Sequence, residues 1–234
     1  MKSLYYHLPG IVLFLLSPGI LKAQKVDSVK NKPYSIAISA SVEFAHLNLS
    51  ALNESLGQNE LPTIKQPVFY LFSFTAMPSS LDQHPFFGIS YGSAQSKRDN
   101  LDHLTKLKLY IVEANFYYSI WQTSRNLLYP GIGFGLMEYS LLIQNKSKTP
   151  SSYNEALNNP GGEIRMQTGD VSLKFSLSYN WALDAEKDYL IGIHAGYRLG
   201  LNKPHWKLLT GGELSGAPTT SASGFFAGID FFIQ

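Results

Sequence analysis

Ionisable side chains recur at the polar positions of alternating segments, and they are the residues that could do chemistry. Lys174 and Arg198 each have apolar neighbours on both sides, and Glu43 and Glu113 lie in similar surroundings. Residues two apart in a strand point the same way, so each charge lies on the polar face of its segment. Buried charges must pair, because an unpaired buried ion is costly. We expect a buried polar network of Glu43, Glu113, Glu138, Lys174, His194, Arg198 and Asp230.

This network has two chemical interpretations. As an ionic plug, it would hold neighbouring strands together and close the space between them. As a gate or a proton-linked site, it would use His194, because an imidazole titrates near neutral pH. His194 and Asp230 are expected at similar heights on neighbouring strands. The plug is the simpler expectation, because mixed charges on one buried face can pair with one another.

Two histidines in predicted loops are the remaining candidates for catalysis. His103 follows Asp102, and His205 precedes Trp206. Nucleophilic catalysis needs a nucleophile, a base and an orienting acid within reach of one another, and the sequence has no motif that assembles them. The six histidines are scattered and cysteine is absent, so metal-ligand spacings are missing. We therefore predict no enzymatic activity, no metal and no cofactor.

The elements that carry these residues are predicted strands. Residues 170–183 alternate between apolar and polar side chains throughout, which predicts one strand with two different faces. At ~3.3 Å per residue it spans roughly 40 Å, which is long for a soluble strand. The pattern predicts eight strands at about 33–44, 67–76, 85–96, 105–121, 128–144, 167–183, 188–201 and 223–233.

The fifth predicted strand has an irregular pattern. Its apolar positions change parity near Leu136 and Met137, from Ile132 and Phe134 to Tyr139 and beyond. One extra residue in a strand exchanges the two faces from that point on. The sequence therefore predicts a β-bulge at this position.

The connections between the strands alternate in length. Short ones are predicted at 77–84, 122–127 and 184–187, long ones at 45–66, 145–166 and 202–222, and an intermediate one at 97–104. A barrel in an outer membrane has short periplasmic turns and longer outer loops. In the first long loop, Leu49, Leu52 and Leu56 have helical spacing, which predicts a short amphipathic helix at about 50–56.

Aromatic side chains are predicted to form two bands, as in barrels that cross a bilayer. The expected inner band comprises Tyr34, Phe87, Tyr118, Tyr129, Tyr179, Trp181, Tyr189 and Phe231. The expected outer band comprises Phe44, Tyr70, Tyr91, Tyr110, Tyr139, Tyr197 and Phe225. These bands favour an apolar face that points outward to lipid. The opposite arrangement, an apolar interior that holds a ligand as in lipocalins, is the alternative.

Composition agrees with a membrane barrel. Charged residues are 15% of the chain, against about 25% in average soluble domains. The net charge is only +2 and no dense basic cluster is present, so nucleic-acid binding is poorly supported. We predict an all-β fold, an eight-stranded antiparallel transmembrane β-barrel with short periplasmic turns and long outer loops, and no open aqueous pore.

The first residues are typical of a cleaved secretory signal peptide. Lys2 is followed by a short apolar run from Ile11 to Leu21, and Ala23 completes a plausible cleavage site. The run is shorter than the ~20 apolar residues of a spanning helix. We therefore predict a signal peptide at 1–23, a barrel domain at 24–234 and a location in the cell outer membrane.

The chain resembles the small outer-membrane β-barrel proteins of Bacteroidetes, the group that includes PorT-like domains. The resemblance is carried by the signal peptide, by the eight alternating strands and by the aromatic ending Gly224-Phe225-Phe226-Ala227-Gly228-Ile229-Asp230-Phe231-Phe232. It covers the whole mature chain and includes no catalytic motif. It therefore implies membership and location rather than an activity.

Binding is expected at the long loops, which a rigid barrel would hold above the membrane. Lys203, His205, Trp206 and Lys207 could form a basic aromatic tip that contacts lipopolysaccharide phosphates or a protein. The alternative is a solvated loop anchored by its tryptophan. We expect a structural or interaction role, with outer-membrane lipid and outer-membrane or secretion-complex proteins as partners. The alternatives are a narrow channel for small or apolar solutes and a lipid-modifying enzyme.

Overall fold

The computed structural model describes residues 34–78, 85–148, 162–184, 188–202, 205–212, 214 and 216–234. The predicted signal peptide and Lys203 lie outside these residues. Within them, no helix is both long enough and apolar enough to cross a membrane.

Eight long strands form a single closed sheet. Each strand pairs in antiparallel fashion with the next along the chain, and the first pairs with the last. The predicted eight-stranded antiparallel barrel is therefore confirmed. The strands are β1 (Tyr34–Asn48), β2 (Val68–Pro78), β3 (Pro85–Asp99), β4 (His103–Tyr118), β5 (Asn126–Asn145), β6 (Gly162–Ala182), β7 (Tyr189–Gly200) and β8 (Ser221–Ile233).

The outer surface of the barrel is apolar. In β3, for example, Phe87 and Tyr91 are more than half exposed, whereas Gly88 and Ser90, which point inward, are buried. Unpaired backbone groups are costly in lipid, so a sheet with such a surface must close on itself. The exposed apolar side chains include Ile36, Phe44, Tyr70, Phe72, Phe74, Phe116, Ile132, Phe134, Phe175, Leu177, Trp181, Ile193, Phe225, Ile229 and Phe231.

Two aromatic residues assigned to the outward-facing bands do not face outward. Tyr129 and Tyr139 are 3% and 0% exposed and point into the barrel. The side chain of Tyr34 lies outside the described part of the chain. The other members of both bands lie on the outward-facing positions of their strands.

The predicted β-bulge in β5 is absent, because the register of β5 runs without a shift against β4 and against β6. Met137, Tyr139 and Leu141 therefore keep the same inward direction as Leu127 at the start of the strand. The parity of the apolar residues changes because this part of the interior is itself apolar. An apolar residue there does not indicate the lipid-facing side.

The interior is filled in three layers. A lower apolar cluster lies at the end where β1 begins and β8 ends, and an upper apolar cluster lies at the loop end. Buried charged residues separate the two clusters. The lower cluster comprises Ala37, Met77, Phe86, Leu127, Tyr129, Ala182, Leu190 and Phe232.

A helix forms the roof over the upper cluster. This helix, α1 (Ser50–Gln58), confirms the predicted helix at 50–56, and it buries Leu52 and Leu56 against the barrel. Its Asn53 side chain donates to the Ile64 carbonyl at 2.9 Å and accepts from the Ile64 amide at 2.7 Å. These two bonds hold the returning chain against the helix.

Small residues of β5 make room for large side chains of β4. Gly131 pairs with Tyr117, and Gly133 pairs with Asn115. A Cβ atom at Gly131 would lie 2.5 Å from the Tyr117 ring, which is itself packed between Phe86 and Tyr129. Glycine is therefore required here by close approach, and the rings can close the lower end of the lumen.

At the loop end of the barrel, strands β3 to β6 extend further than the other four strands. β6 continues over residues 162–171 beyond its pairing with β7, and β3 continues over 95–99 beyond its pairing with β2. With residues 103–109 of β4 and 138–145 of β5, these segments form a raised wall on one side of the loop end. The inner face of the raised wall supports the roof through buried residues of the upper cluster.

Candidate functional site: the buried polar network

Four charged residues from four strands meet in the middle of the lumen. The Lys174 Nζ atom lies 3.0 Å from Glu113 Oε2 and 3.5 Å from Glu43 Oε2. Arg198 Nη2 lies 3.1 Å from Glu43 Oε1 and 2.9 Å from Glu113 Oε1. All four side chains are buried, so each cation joins the two carboxylates with little competition from water.

Strand register explains why these residues meet. The short β6–β7 connection places Lys174 directly opposite Arg198. Glu113 pairs with Gly135 of β5, and Lys174 pairs with Gly133 of the same strand, so glycine leaves space for both long side chains. Phe226 of β8 covers the two cations, with Lys174 Nζ 4.7 Å and Arg198 Cζ 5.1 Å from the ring centre. Such cation–π contacts add to the ion pairs.

A histidine–aspartate pair extends the network toward the lower end. His194 Nδ1 lies 2.7 Å from Asp230 Oδ2, and the Ser41 hydroxyl donates to the other oxygen of Asp230. His194 Nε2 lies 3.5 Å from Glu43 Oε2, which links this pair to the central cluster. The three carboxylates are thus faced by Lys174, Arg198 and His194. A protonated His194 would balance the charges of the network.

A small cavity lies beside this pair. Its volume is about 40 Å³, which is room for about two or three water molecules. Hydroxyl groups dominate its lining, which suits bound water rather than an apolar ligand. The residues that line it include Ser39, Ser73, Thr75, Ser90, Ser176, Ser178, His194 and Asp230.

One residue assigned to the network lies elsewhere. Glu138 is on the outward face of β5, where it pairs with Tyr110 of β4 and with Gly169 of β6. The residue of β5 opposite Lys174 is Gly133, which is five positions away. The expectation that Glu138 approaches Lys174 in the lumen was therefore wrong. It depended on the bulge, which would have turned Glu138 inward.

Sequence reasoning missed a buried carboxylate at the top of the lumen. Asp170 accepts a hydrogen bond from the Asn202 amide at 3.1 Å and another from the Ala222 amide at 2.9 Å. It therefore joins the two ends of the β7–β8 loop to β6. The alternation of residues 170–183 places Asp170 on the polar face of the strand. Its partners, however, are backbone amides, and the sequence does not show which backbone amides a carboxylate binds.

The predicted basic aromatic tip is divided between the surface and the interior. Trp206 is only 1% exposed, packs in the upper cluster and donates from Nε1 to the Pro218 carbonyl at 3.0 Å. It is therefore an anchor for the loop and is closed to a partner. His205 and Lys207, by contrast, are exposed.

The other histidine candidate lies in a tight turn. The Asn100 side chain accepts from the backbone amides of Asp102 and His103 at 3.0 and 2.7 Å. Among the residues that the structure describes, no hydrogen bond or ion pair joins the side chains of Asp102 and His103. The absence of enzymatic activity stays a prediction.

The strand pairing and the direction of the side chains define the class of this protein, a closed transmembrane-type β-barrel of eight strands. No protein-family model matches the chain, and no curated protein matches it. The resemblance to the Bacteroidetes family therefore stays a prediction.

The solved structures to which this chain is similar have low sequence identity to it. They include a major outer membrane protein from Thermus thermophilus, with 8% identity, 85% of this chain and 100% of that chain covered, and a TM-score of 0.49. Neisserial surface protein A has 12% identity, 85% and 96% coverage, and a TM-score of 0.44. Ail, the attachment invasion locus protein of Yersinia pestis, has 12% identity, 86% and 97% coverage, and a TM-score of 0.40.

Proposed function

We propose that this protein is an exported outer-membrane barrel, closed to solutes, that serves as a scaffold for interactions at its loop end. The observation that carries this proposal is the filled lumen, in which the ionic layer lies between two apolar clusters. Residues 1–23 would be removed on export, and the termini would face the periplasm.

The distribution of polarity supports a membrane location. The barrel buries Glu43, Glu113, Lys174 and Arg198 at its centre and exposes aromatic and aliphatic side chains around its circumference at that level. A continuous apolar surface of this kind marks contact with a membrane or a partner. A soluble lipocalin-like barrel would require the reverse arrangement, with an apolar cavity inside. Here the middle of the interior is occupied by paired ions.

The packing of the lumen supports a scaffold rather than a channel. Eight strands leave an interior that side chains can fill. Here the ring cluster of Phe86, Tyr117 and Tyr129 closes the lower end, and α1 with Trp206 covers the upper end. The narrow-channel and lipid-modifying alternatives have less support, since the network is enclosed on both sides.

Solute uptake by proteoliposomes tests the proposal. Liposomes that contain the inserted barrel are expected to take up small sugars and ions no faster than empty liposomes. An open porin inserted in the same way provides the positive control, and the mobility shift of the unboiled protein verifies insertion. Steady uptake that Lys174→Met alters would contradict the proposal, because it would show that solutes pass the ionic layer.

A further inference from the structure

The outward face of the raised wall carries an unusual row of basic residues. Lys97 of β3 pairs directly with Lys106 of β4, and Lys106 pairs with Leu142 of β5. Leu142 pairs in turn with Arg165 of β6, so three cations lie in one row across four strands. Lys108 lies two residues below Lys106 on the same face. We name Lys97, Lys106, Lys108 and Arg165 the basic strip.

The basic strip is only partly neutralised within the sheet. Like charges directly opposite each other destabilise a strand pair, and Lys97 and Lys106 are such a pair. Two carboxylates lie two residues above the row on the same strands: Asp99 binds Lys146 at 3.1 Å, and Glu163 binds Arg165.

Two lysines of the basic strip have no counterion among the residues that the structure describes. Within those residues, no side-chain hydrogen bond or ion pair is formed by Lys106 or by Lys108. Glu138 is a diagonal neighbour of Lys108 on the same face. Among the described residues of the four wall strands, it is the one carboxylate on the outward face below the row. The basic strip therefore has an excess of positive charge.

The height of the basic strip relative to the aromatic band indicates its partner. Tyr110 lies two residues below Lys108 on the same face of β4. Gln95 of β3 pairs with Lys108, and Tyr91 lies four residues below Gln95 on the same face. Exposed tyrosines favour the level of the lipid headgroups. Two strand residues span about 7 Å, so Lys108 and Lys106 begin where headgroup phosphates are expected.

We propose that the basic strip binds the phosphate groups of outer-leaflet lipids, an inference that rests on the membrane location proposed above. Lysine stems can lie along the sheet while their ammonium groups reach the phosphates. Arg165 can offer its remaining guanidinium donors in the same plane. The cations lie side by side on neighbouring strands, at similar heights relative to the membrane. Several lipid headgroups could therefore bind next to one another along the raised wall.

The exposed Lys207 extends the same surface. It pairs with Gln167 of β6, which pairs with Ser140 of β5, and Ser140 pairs with Lys108. The four residues therefore form a second row directly below the first. The sequence suggested a lipid contact in the β7–β8 loop. In this arrangement the contact is made by Lys207, on the outward face of the raised wall, and not by Trp206.

Lipid binding by the processed, full-length barrel in nanodiscs tests this inference, with bisphosphorylated lipid A and its dephosphorylated form as probes. The variant Lys106→Gln/Lys108→Gln removes two charges from the basic strip. The matched control Lys65→Gln/Arg125→Gln removes two exposed charges outside it, one from the loop before β2 and one from the β4–β5 turn. The mobility shift of the unboiled protein verifies that each variant is inserted.

The strip variant is expected to bind the phosphorylated lipid more than tenfold more weakly, at about fivefold for each basic residue, and the control is expected to bind as the unaltered protein does. Its resistance to unfolding should stay the same or rise, because a like-charge pair is removed. Equal binding of the dephosphorylated lipid, or an equal loss in the control, would overturn the inference. A protein that fails to insert would instead overturn the membrane location, and the inference with it.

Discussion

Replacement of Arg198 by methionine is expected to lower the free energy of unfolding by about 3–5 kcal/mol, the usual cost of removing one partner from a buried ion pair. Arg198 lies within 3.1 Å of an oxygen of both Glu43 and Glu113, and it is 1% exposed. Methionine fills similar space but leaves two carboxylates with one cation, Lys174. Urea unfolding in detergent, followed by tryptophan fluorescence, measures the change.

Two further variants make this experiment specific. Arg125→Met changes an exposed arginine in the β4–β5 turn and is expected to alter stability by no more than about 0.5 kcal/mol. Glu113→Gln combined with Arg198→Met removes one charge of each sign, so the double variant should lose less stability than the sum of the single variants. Additive losses would show that the two side chains do not stabilise each other, against the structure.

The second large effect is expected at the roof. Trp206→Ala should destabilise the packing of the β7–β8 loop by about 3–5 kcal/mol, since a buried tryptophan loses its contacts and leaves a cavity. The substitution also removes the hydrogen bond to the Pro218 carbonyl. The expected result is faster proteolysis and faster amide exchange at 205–212, with the strands of the barrel still protected.

Trp121→Ala is the matched control for this variant. Trp121 lies in the β4–β5 turn at the opposite end, and it is exposed. Its replacement is expected to leave the proteolysis of the roof unchanged. If Trp206→Ala also left the roof unchanged, Trp206 would not be the anchor that holds the loop.

Much of the fold could be predicted because the period of two is a local signal. The strand 170–183 was visible from alternation alone, and the short connection after it was enough to place Lys174 beside Arg198. In a hairpin with a short turn, register follows from the chain itself. Glu43 and Glu113 were then candidates to approach these cations, because buried cations need counterions.

The predicted bulge and the inward placement of Glu138 were errors that arose where both faces of the strand are apolar. Alternation distinguishes lipid from lumen only while the lumen is polar. In the upper part of the barrel the roof excludes water, so the inward-pointing residues Tyr139 and Leu141 are aromatic and aliphatic. Assigning them to the lipid side created a bulge that the structure lacks and turned Glu138 inward. A continuous register through the strand would have avoided both errors.

Tertiary contacts of the loops were beyond sequence reasoning. Nothing local distinguishes an exposed tryptophan in a basic loop from one that packs under a roof helix, because the roof is built from the separate segment 50–58. The backbone partners of Asp170 are similarly set by the closure of the barrel. The basic strip is visible only after Lys97, Lys106 and Arg165 are placed by the register of the sheet.

Gel mobility of the protein from detergent-extracted outer membranes, unboiled against boiled, tests the central claim most directly. The closed hydrogen-bonded barrel is expected to stay folded in detergent without boiling and to migrate differently from the boiled chain. Recovery in the outer-membrane fraction with this shift would agree with a sealed transmembrane barrel. A soluble periplasmic protein without a shift would contradict it, because the apolar surface would then have to be covered by something other than lipid.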